Sequence, residues 1–442
     1  MSASVSPGVT LRAISSVVEA FAVESLLECA DPLHPLVALR RGEGIVGIGE
    51  AMRLQFTGPD RLTDAARAWR DVAERAEVAD PVHRPGSGLV AFGTFAFADG
   101  SSAPSVLIVP ELIVGRHDGV CWVTRVIAVG GSDTNDGEGG GEGGGEGEGA
   151  SGGASDRPLA VAPTPQPIGE RPRATLAAAS LSREQFTAVV GRVVEAIRGG
   201  HVEKVVIARD ATASIPPDAD RRALLHELAD RYPDCLTFGV DGLIGASPET
   251  LVSVHAGEAS ARVLAGSTAR GASAADDAAA SAALATSAKD LDEHAFAVHS
   301  VLDALRPHVQ AVTASELPFT LKLPNLWHLA TDVEMQLAES SSALDIVAAL
   351  HPTAAVAGSP TDAALALIAE LEPFDRGRYA GPVGWIDQDG DGEWVIALRC
   401  ASIDDDGLLT AYAGAGIVAD SDPVSELAET RMKFRPIADS LR

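Results

Sequence analysis

Apolar side chains along the chain follow two periods, and the switches between them mark the elements. From Leu89 to Phe97 and from Val106 to Val114, β-branched and aromatic residues run nearly unbroken, which predicts strands. Between Asp60 and Val78 the period changes, and Leu62, Ala66, Trp69 and Val72 fall near one face of a helix. Ser182 and Gln185 form a capping box. Phe186, Val189, Val190, Val193, Val194 and Ile197 then follow at helical spacing until Gly199-Gly200 ends the run. Lys204 to Arg209 predicts a strand, Arg222 to Tyr232 a helix, and Leu236 to Val240 with Leu251 to Val254 a strand pair. Ser287 to His308 predicts a long helix with Leu291, Val298, Val301, Leu302 and Leu305 facing inward. The last third alternates strands with a helix near Thr361 to Leu371, and Asp422-Pro423 starts a final helix with a good N-cap and a first-turn proline. The pattern implies an α+β protein, with large, mostly antiparallel sheets packed together and helices outside.

One stretch carries neither period. Gly130 to Arg157 holds thirteen glycines and seven acids against one arginine, with no large apolar side chain. It cannot bury enough surface to offset its ordering entropy, so it predicts a disordered acidic loop or linker. The chain then divides into a strand-rich half at 1–129, this acidic Gly-rich linker at 130–172, and a third region at 173–442.

Charge narrows the possible partners. Lys and Arg total 34 against 62 acids over 442 residues, a formal −28. Binding to nucleic acid or to an anionic membrane surface is disfavoured electrostatically, and any anionic ligand needs local donors or a metal ion. The same repulsion makes a monomer the expectation. Cys29, Cys121, Cys235 and Cys400 are isolated, with neither a zinc-type pair nor a disulfide framework. Met1 to Ser16 shows no secretory pattern, and no apolar run approaches the ~18 residues of a membrane helix, so a cytoplasmic location is expected.

Candidate chemistry is weak residue by residue. No phosphate loop, H-E-x-x-H helix or G-x-S-x-G elbow is present. Asp387 to Gly392 begins like a calcium loop, but Leu398 stands where a bidentate Glu is required, which leaves a hairpin turn. Lys204 opens an apolar strand, Glu249 sits in a turn at Ala246-Ser-Pro-Glu249, and Glu293-His294 lies mid-helix. Glu426, Glu429 and Lys433 fall at i, i+3 and i+7 of the final helix, where an ordinary i,i+4 ion pair would account for two of them. Ala413-Gly-Ala-Gly416, expected just after a strand, would let backbone N–H groups approach an anion.

Their order is far more specific. Val202-Glu-Lys-Val-Val-Ile-Ala-Arg209, Ala246-Ser-Pro-Glu249, Leu264-Ala-Gly-Ser267 and Lys289-Asp-x-x-Glu-His294 are followed by Trp327-His-Leu329 and Leu350-His-Pro-Thr353. Glu372-Pro-Phe-Asp-Arg376, Tyr379 to Trp385, Gly392 to Arg399, Tyr412 to Val418 and Glu426-x-x-Glu-Thr430 with Lys433 complete the series. From Glu203 onward the chain resembles the chorismate-utilising enzymes, and within them the isochorismate synthases; before the linker only the general strand content is similar.

The resemblance implies a substrate, chorismate, and a reaction: water attacks C2 while the C4 hydroxyl departs, yielding isochorismate for menaquinone or siderophore synthesis. It makes Lys204 the base and Glu249 the acid, roles that require a neutral amine and a protonated carboxyl. It makes Glu293 and Glu429, with Glu426 nearby, the ligands of Mg²⁺. Arg399 and Lys433, with backbone N–H groups near Gly414 and Gly416, would grip a substrate carboxylate. Gly266, Ser267, His328 and Tyr379 would contact the ring and its hydroxyls, and Ala355 the side chain. Ammonia-using members differ at the positions of Lys204 and of His351-Pro-Thr353, so water is the expected nucleophile. Salicylate synthesis, with elimination of pyruvate, is the alternative. Two positions depart from the family pattern, Thr268 where an Arg is usual and Ala354 where a Pro is usual.

Overall fold

The computed structural model describes residues 10–19, 25–129, 163–315, 317–322 and 326–442, and in these all side chains except those at 267, 269, 289, 293 and 326. The expected linker core at 130–162 lies outside the described residues. Among the described residues, strands form one sheet of 13 and another of 10, and the pairings are antiparallel except for Thr10–Val18 against Glu77–Ala79. Both sheets draw strands from either side of the linker: Leu36–Arg40 pairs Leu236–Val240, and Val90–Thr94 pairs Pro382–Asp387. This is the α+β architecture read from the pattern. No helix among the described residues is long and apolar enough to cross a membrane.

Alternation along the strands explains why the larger sheet is buried on both faces. Leu36 and Ala38 join a core that includes Phe92, Phe95, Trp122 and Trp394, between the sheets. Val37 and Leu39 face the other way, into a second cluster with Leu224, Leu225 and Leu228 of helix Arg222–Arg231 and with Phe434 and Ile437 of helix Pro423–Ser440. Helices Arg61–Arg75 and Ala343–Leu350 pack on each other beside the smaller sheet, and Ala288–Leu305 lies against its strand Glu258–Ala269.

Several expectations change in detail. Val106 to Val114 is two strands, Ser105–Val109 and Leu112–His117, in different sheets, because Pro110 breaks the ladder and the chain crosses over there. Leu236–Val240 pairs with Leu243–Ser247, whereas Thr250–His255 belongs to the other sheet. Helix Ala274–Thr286 was hidden because its only buried apolar residue, Leu284, makes no stripe. Residues 163–172 of the expected linker are pinned: Gln166 N–H donates to Glu28 O at 2.8 Å and Gly169 N–H to an Asp220 carboxylate oxygen at 2.7 Å.

Candidate active site

Two antiparallel strands form the floor. In Lys204–Ser214 against Leu408–Ile417, Val206 lies opposite Gly416 and Ala208 opposite Gly414. The glycines are within the strand, not after it as the sequence suggested. Room is their first function: a Cβ on Gly416 would sit 3.1 Å from Lys204 Cε, and one on Gly414 would sit 3.1 Å from the Tyr379 hydroxyl oxygen. Direction is the second. Gly414 O accepts from Lys433 Nζ at 2.8 Å, so this residue faces away from the Lys204 strand. In an antiparallel ladder N–H and C=O of one residue share an edge, and Gly414 and Gly416 therefore present their N–H groups to that same open edge. The pairing with Cys400–Ile403 on that edge extends only to Ala411.

Two crossovers between the sheets bring in the opposing groups. Pro248-Glu249 links Leu243–Ser247 of the larger sheet to Thr250–His255 of the smaller, and Ala397 to Arg399 links Gly392–Ile396 back to Cys400–Ile403. They brace each other. Ser247 Oγ donates to Ile396 O at 2.6 Å and accepts from Glu249 N–H at 3.2 Å, while Ile396 N–H donates to Glu249 O at 3.0 Å. Arg399 has φ +51°, a conformation that costs a residue with a side chain about 1–2 kcal/mol. Tyr379 is held to the same crossover through Ala380 N–H to Ala397 O at 2.9 Å, and its ring stacks on Tyr412 at 5.1 Å.

A bulge and two helices close the rim. The register of Glu258–Ala269 against Leu326–Leu337 slips between Ala265 and Ser267, and Gly266 at φ +73° takes the slip. Its carbonyl lies 3.3 Å from His328 Nδ1. His294 bonds Ala265 O at 3.0 Å and Thr331 Oγ at 2.8 Å, fixing helix Ala288–Leu305 on these strands. The backbone of Glu293 is thus placed beside the bulge, but the side chains of Glu293 and Ser267 lie outside the described set. On the final helix, Glu429 pairs with Lys433 at 2.6 Å and Glu426 accepts from Ser421 Oγ at 2.7 Å. Ala355 sits in a turn whose Ala357 O accepts from Val206 N–H at 2.9 Å, next to Lys204.

Electrostatics unite these pieces. Lys204 is pushed down from the ordinary amine range by burial, and Lys433 adds to this, against the opposing pull of Glu249 and Glu429. Glu249 is pushed up by burial, although Lys204, Lys433 and Arg399 all favour its charged form. Each partner favours the other's charge, yet burial outweighs the attraction on both sides. His328 is pushed down to about 4 by burial, then by Lys204 and Lys433, and so is neutral at physiological pH. Lys204, Glu249, His328, Arg399, Glu429 and Lys433 therefore share one neighbourhood. Lys204 and Glu249 keep partial exposure, as groups facing a ligand must.

The metal expectation can be tested on the donors. Glu426 is pushed up by burial and also by Glu429, one helical turn away. Two such carboxylates offer the hard oxygens that a divalent ion takes, and such an ion would relieve their repulsion. They fit, although among the described residues no group of three or more His, Cys, Asp or Glu is assembled for a metal.

Some structural contributors were missed in the sequence. Arg209 donates to Thr430 Oγ at 2.8 Å and lies over Phe434 at 4.8 Å, tying the Lys204 strand to the helix of Glu429. Arg209 closes the motif that begins at Val202 and Thr430 the one that begins at Glu426, and this is the signal that marks them in the sequence.

Over residues 36–442 the chain matches the family described as chorismate binding enzyme, and it belongs to that family. DhbC of Bacillus subtilis, an isochorismate synthase, is 41% identical over 251 residues, which is 54% of this chain and 63% of that protein. A relative designated MenF from Mycobacterium tuberculosis is 40% identical over 290 residues, 62% of this chain and 78% of its own. The crystal structure of DhbC from Bacillus anthracis superposes with a TM-score of 0.67 at 29% identity, covering 94% of this chain and 98% of that one.

Proposed function

We propose that this protein is a Mg²⁺-dependent isochorismate synthase. The observation that carries the reading is the Lys204–Glu249 pair, whose protonation burial shifts in the two directions needed for a base and an acid. Neutral Lys204 takes a proton from the attacking water, whose oxygen stays on C2. Protonated Glu249 gives its proton to the C4 hydroxyl, which leaves as water while the double bonds shift. The composition of the substrate is unchanged.

Arg399, Lys433 and the N–H groups of Gly414 and Gly416 grip a substrate carboxylate. Neutral His328 and Tyr379 meet the ring and its hydroxyls along with Gly266 and Ser267, and Ala355 borders the substrate's side chain. Glu426 and Glu429, joined by Glu293, would hold Mg²⁺, whose positive charge lets carboxylates and an anionic substrate share one site.

Incubating the protein with chorismate and Mg²⁺ in ¹⁸O-water and separating the products tests this. Isochorismate labelled at the C2 hydroxyl is expected. Salicylate released together with pyruvate would replace the reading with its alternative, and unchanged chorismate would remove both.

A further inference from the structure

The edge of the Lys204 strand opposite Leu408–Ile417 is completed in an unusual way. Near its start, Lys204 and Val205 pair with Ser359 and Gly358, and further on Ala211 and Thr212 pair with Ala178 and Ala177. Between these short pairings no strand is present among the described residues. Instead, Ala208 N–H donates to Glu372 Oε1 at 2.7 Å, and Val206 O accepts from Arg376 Nη2 at 2.7 Å. Glu372 and Arg376 bond each other twice, at 2.8 and 2.6 Å, and both side chains are almost wholly buried at 2% and 3% exposure. A buried ion pair stands in for a missing strand.

Its remaining bonds reach the other walls of the site. Arg376 Nη1 donates to Val356 O at 3.0 Å, in the turn that carries Ala355, and its guanidinium lies 4.4 Å from the centre of the Phe97 ring. Arg376 O accepts from Tyr379 N–H at 3.0 Å. Lys204 is two residues from Val206, and a displacement of about 1 Å at a reacting group costs on the order of 10²-fold in rate.

We propose that Glu372 and Arg376 are positioning residues that hold the Lys204 strand and the Ala355 turn in reacting register. A core with only structural needs would be served as well by apolar side chains of similar volume, because burying an ion pair contributes little net stability. Apolar side chains cannot bond Ala208 N–H or Val206 O. The carboxylate grip through Arg399 and Lys433 belongs to other elements, and the Ala355 turn and Tyr379 supply only uncharged contacts, so the larger loss should fall on kcat rather than KM. This rests on the reading of Lys204 as the base.

The experiment uses the full chain carrying Glu372→Leu with Arg376→Met, and separately the conservative Glu372→Gln, which keeps an acceptor for Ala208. Amide exchange by mass spectrometry over residues 203–210, thermal melting, kcat and KM are measured. In the double variant exchange over 203–210 should accelerate about tenfold, with kcat down about 30-fold and KM within about threefold. Glu372→Gln should lower kcat by about fivefold. Wild-type exchange in a folded variant would overturn the proposal, as would fast exchange with wild-type kcat. If the double variant fails to fold, unchanged kcat and exchange in Glu372→Gln overturn it alone. Should Lys204→Ala keep its turnover, the base assignment fails, while the exchange arm still reports whether the pair holds the strand.

Discussion

The site is built by two kinds of element, and they treat ionisable side chains differently. Lys204 and Glu249 come from a strand start and a sheet crossover, where backbone bonds fix them and burial moves both away from their ordinary protonation. Glu426, Glu429 and Lys433 come from one face of helix Pro423–Ser440, where Glu429 has an ion-pair partner in Lys433 and Glu426, though itself pushed up by burial, has a hydroxyl donor in Ser421. In the proposed mechanism, strand and crossover supply the groups that move protons. There the helix would supply carboxylates whose charge a divalent ion offsets. The same residue type, Glu, would thus serve as acid at position 249, where it faces Lys204, and as metal ligand at position 429, where it faces Lys433 and the carboxylate of Glu426.

The strongest way to break this contrast is Lys204→Ala. Turnover is expected to fall about 10³-fold or more, with the melting temperature nearly unchanged, since the lysine at the start of the strand packs little. Lys204→Arg should be equally inactive, because a guanidinium does not release its proton. Normal turnover in either would remove the base.

Glu249→Gln follows, with kcat lower by about 10²-fold and the fold intact. Its pH profile sharpens the point. The base must be neutral, so activity falls as pH drops through the lowered Lys204 value; the acid must be protonated, so activity falls as pH rises through the raised Glu249 value. The amide variant should lose the high-pH limb and keep the low-pH one. A high-pH limb that survives would assign it to another group.

The helix side should respond in a different currency. Glu429→Gln is expected to raise the Mg²⁺ concentration for half-maximal activity by about 10–100-fold, with activity partly restored at saturating metal. A fall in maximal rate with unchanged Mg²⁺ dependence would place Glu429 with the proton-moving groups and erase the distinction.

How much of this the sequence revealed depends on whether a group acts within its own segment. The capping box at Ser182 and the helix Thr361–Leu371 were legible because local bonding and periodicity determine them. The motif order singled out Lys204, Glu249, Glu426 and Glu429, which the fold gathers around Lys433. The crossovers were not legible: Pro248-Glu249 reads as a turn in a hairpin, and only the pairing of Thr250–His255 with Gly392–Ile396 reveals a change of sheet. Glu372 and Arg376 stand out in the sequence only as the ends of one motif, since nothing local tells that the edge of a strand 164 residues away in sequence lacks its neighbour. At Gly414 and Gly416 the spacing suggests N–H groups open to an anion, but it cannot show that the missing side chains also make room for Tyr379 and Lys204.

That last point yields the smallest expected effect. The φ of Gly416 is not positive, so alanine is conformationally tolerated there, and its Cβ would meet Lys204 Cε at 3.1 Å. Such a contact requires the lysine to yield by a few tenths of an ångström, not the strand to refold. Gly416→Ala should therefore fold normally and lose about five- to tenfold in kcat, because the amine is pushed off its line to the attacking water. Combined with Lys204→Ala the extra methyl should cost nothing further, since the side chain it presses on is gone. A further drop in the double variant would mean that the glycine acts on substrate directly, through its N–H or its open space, rather than by seating the base.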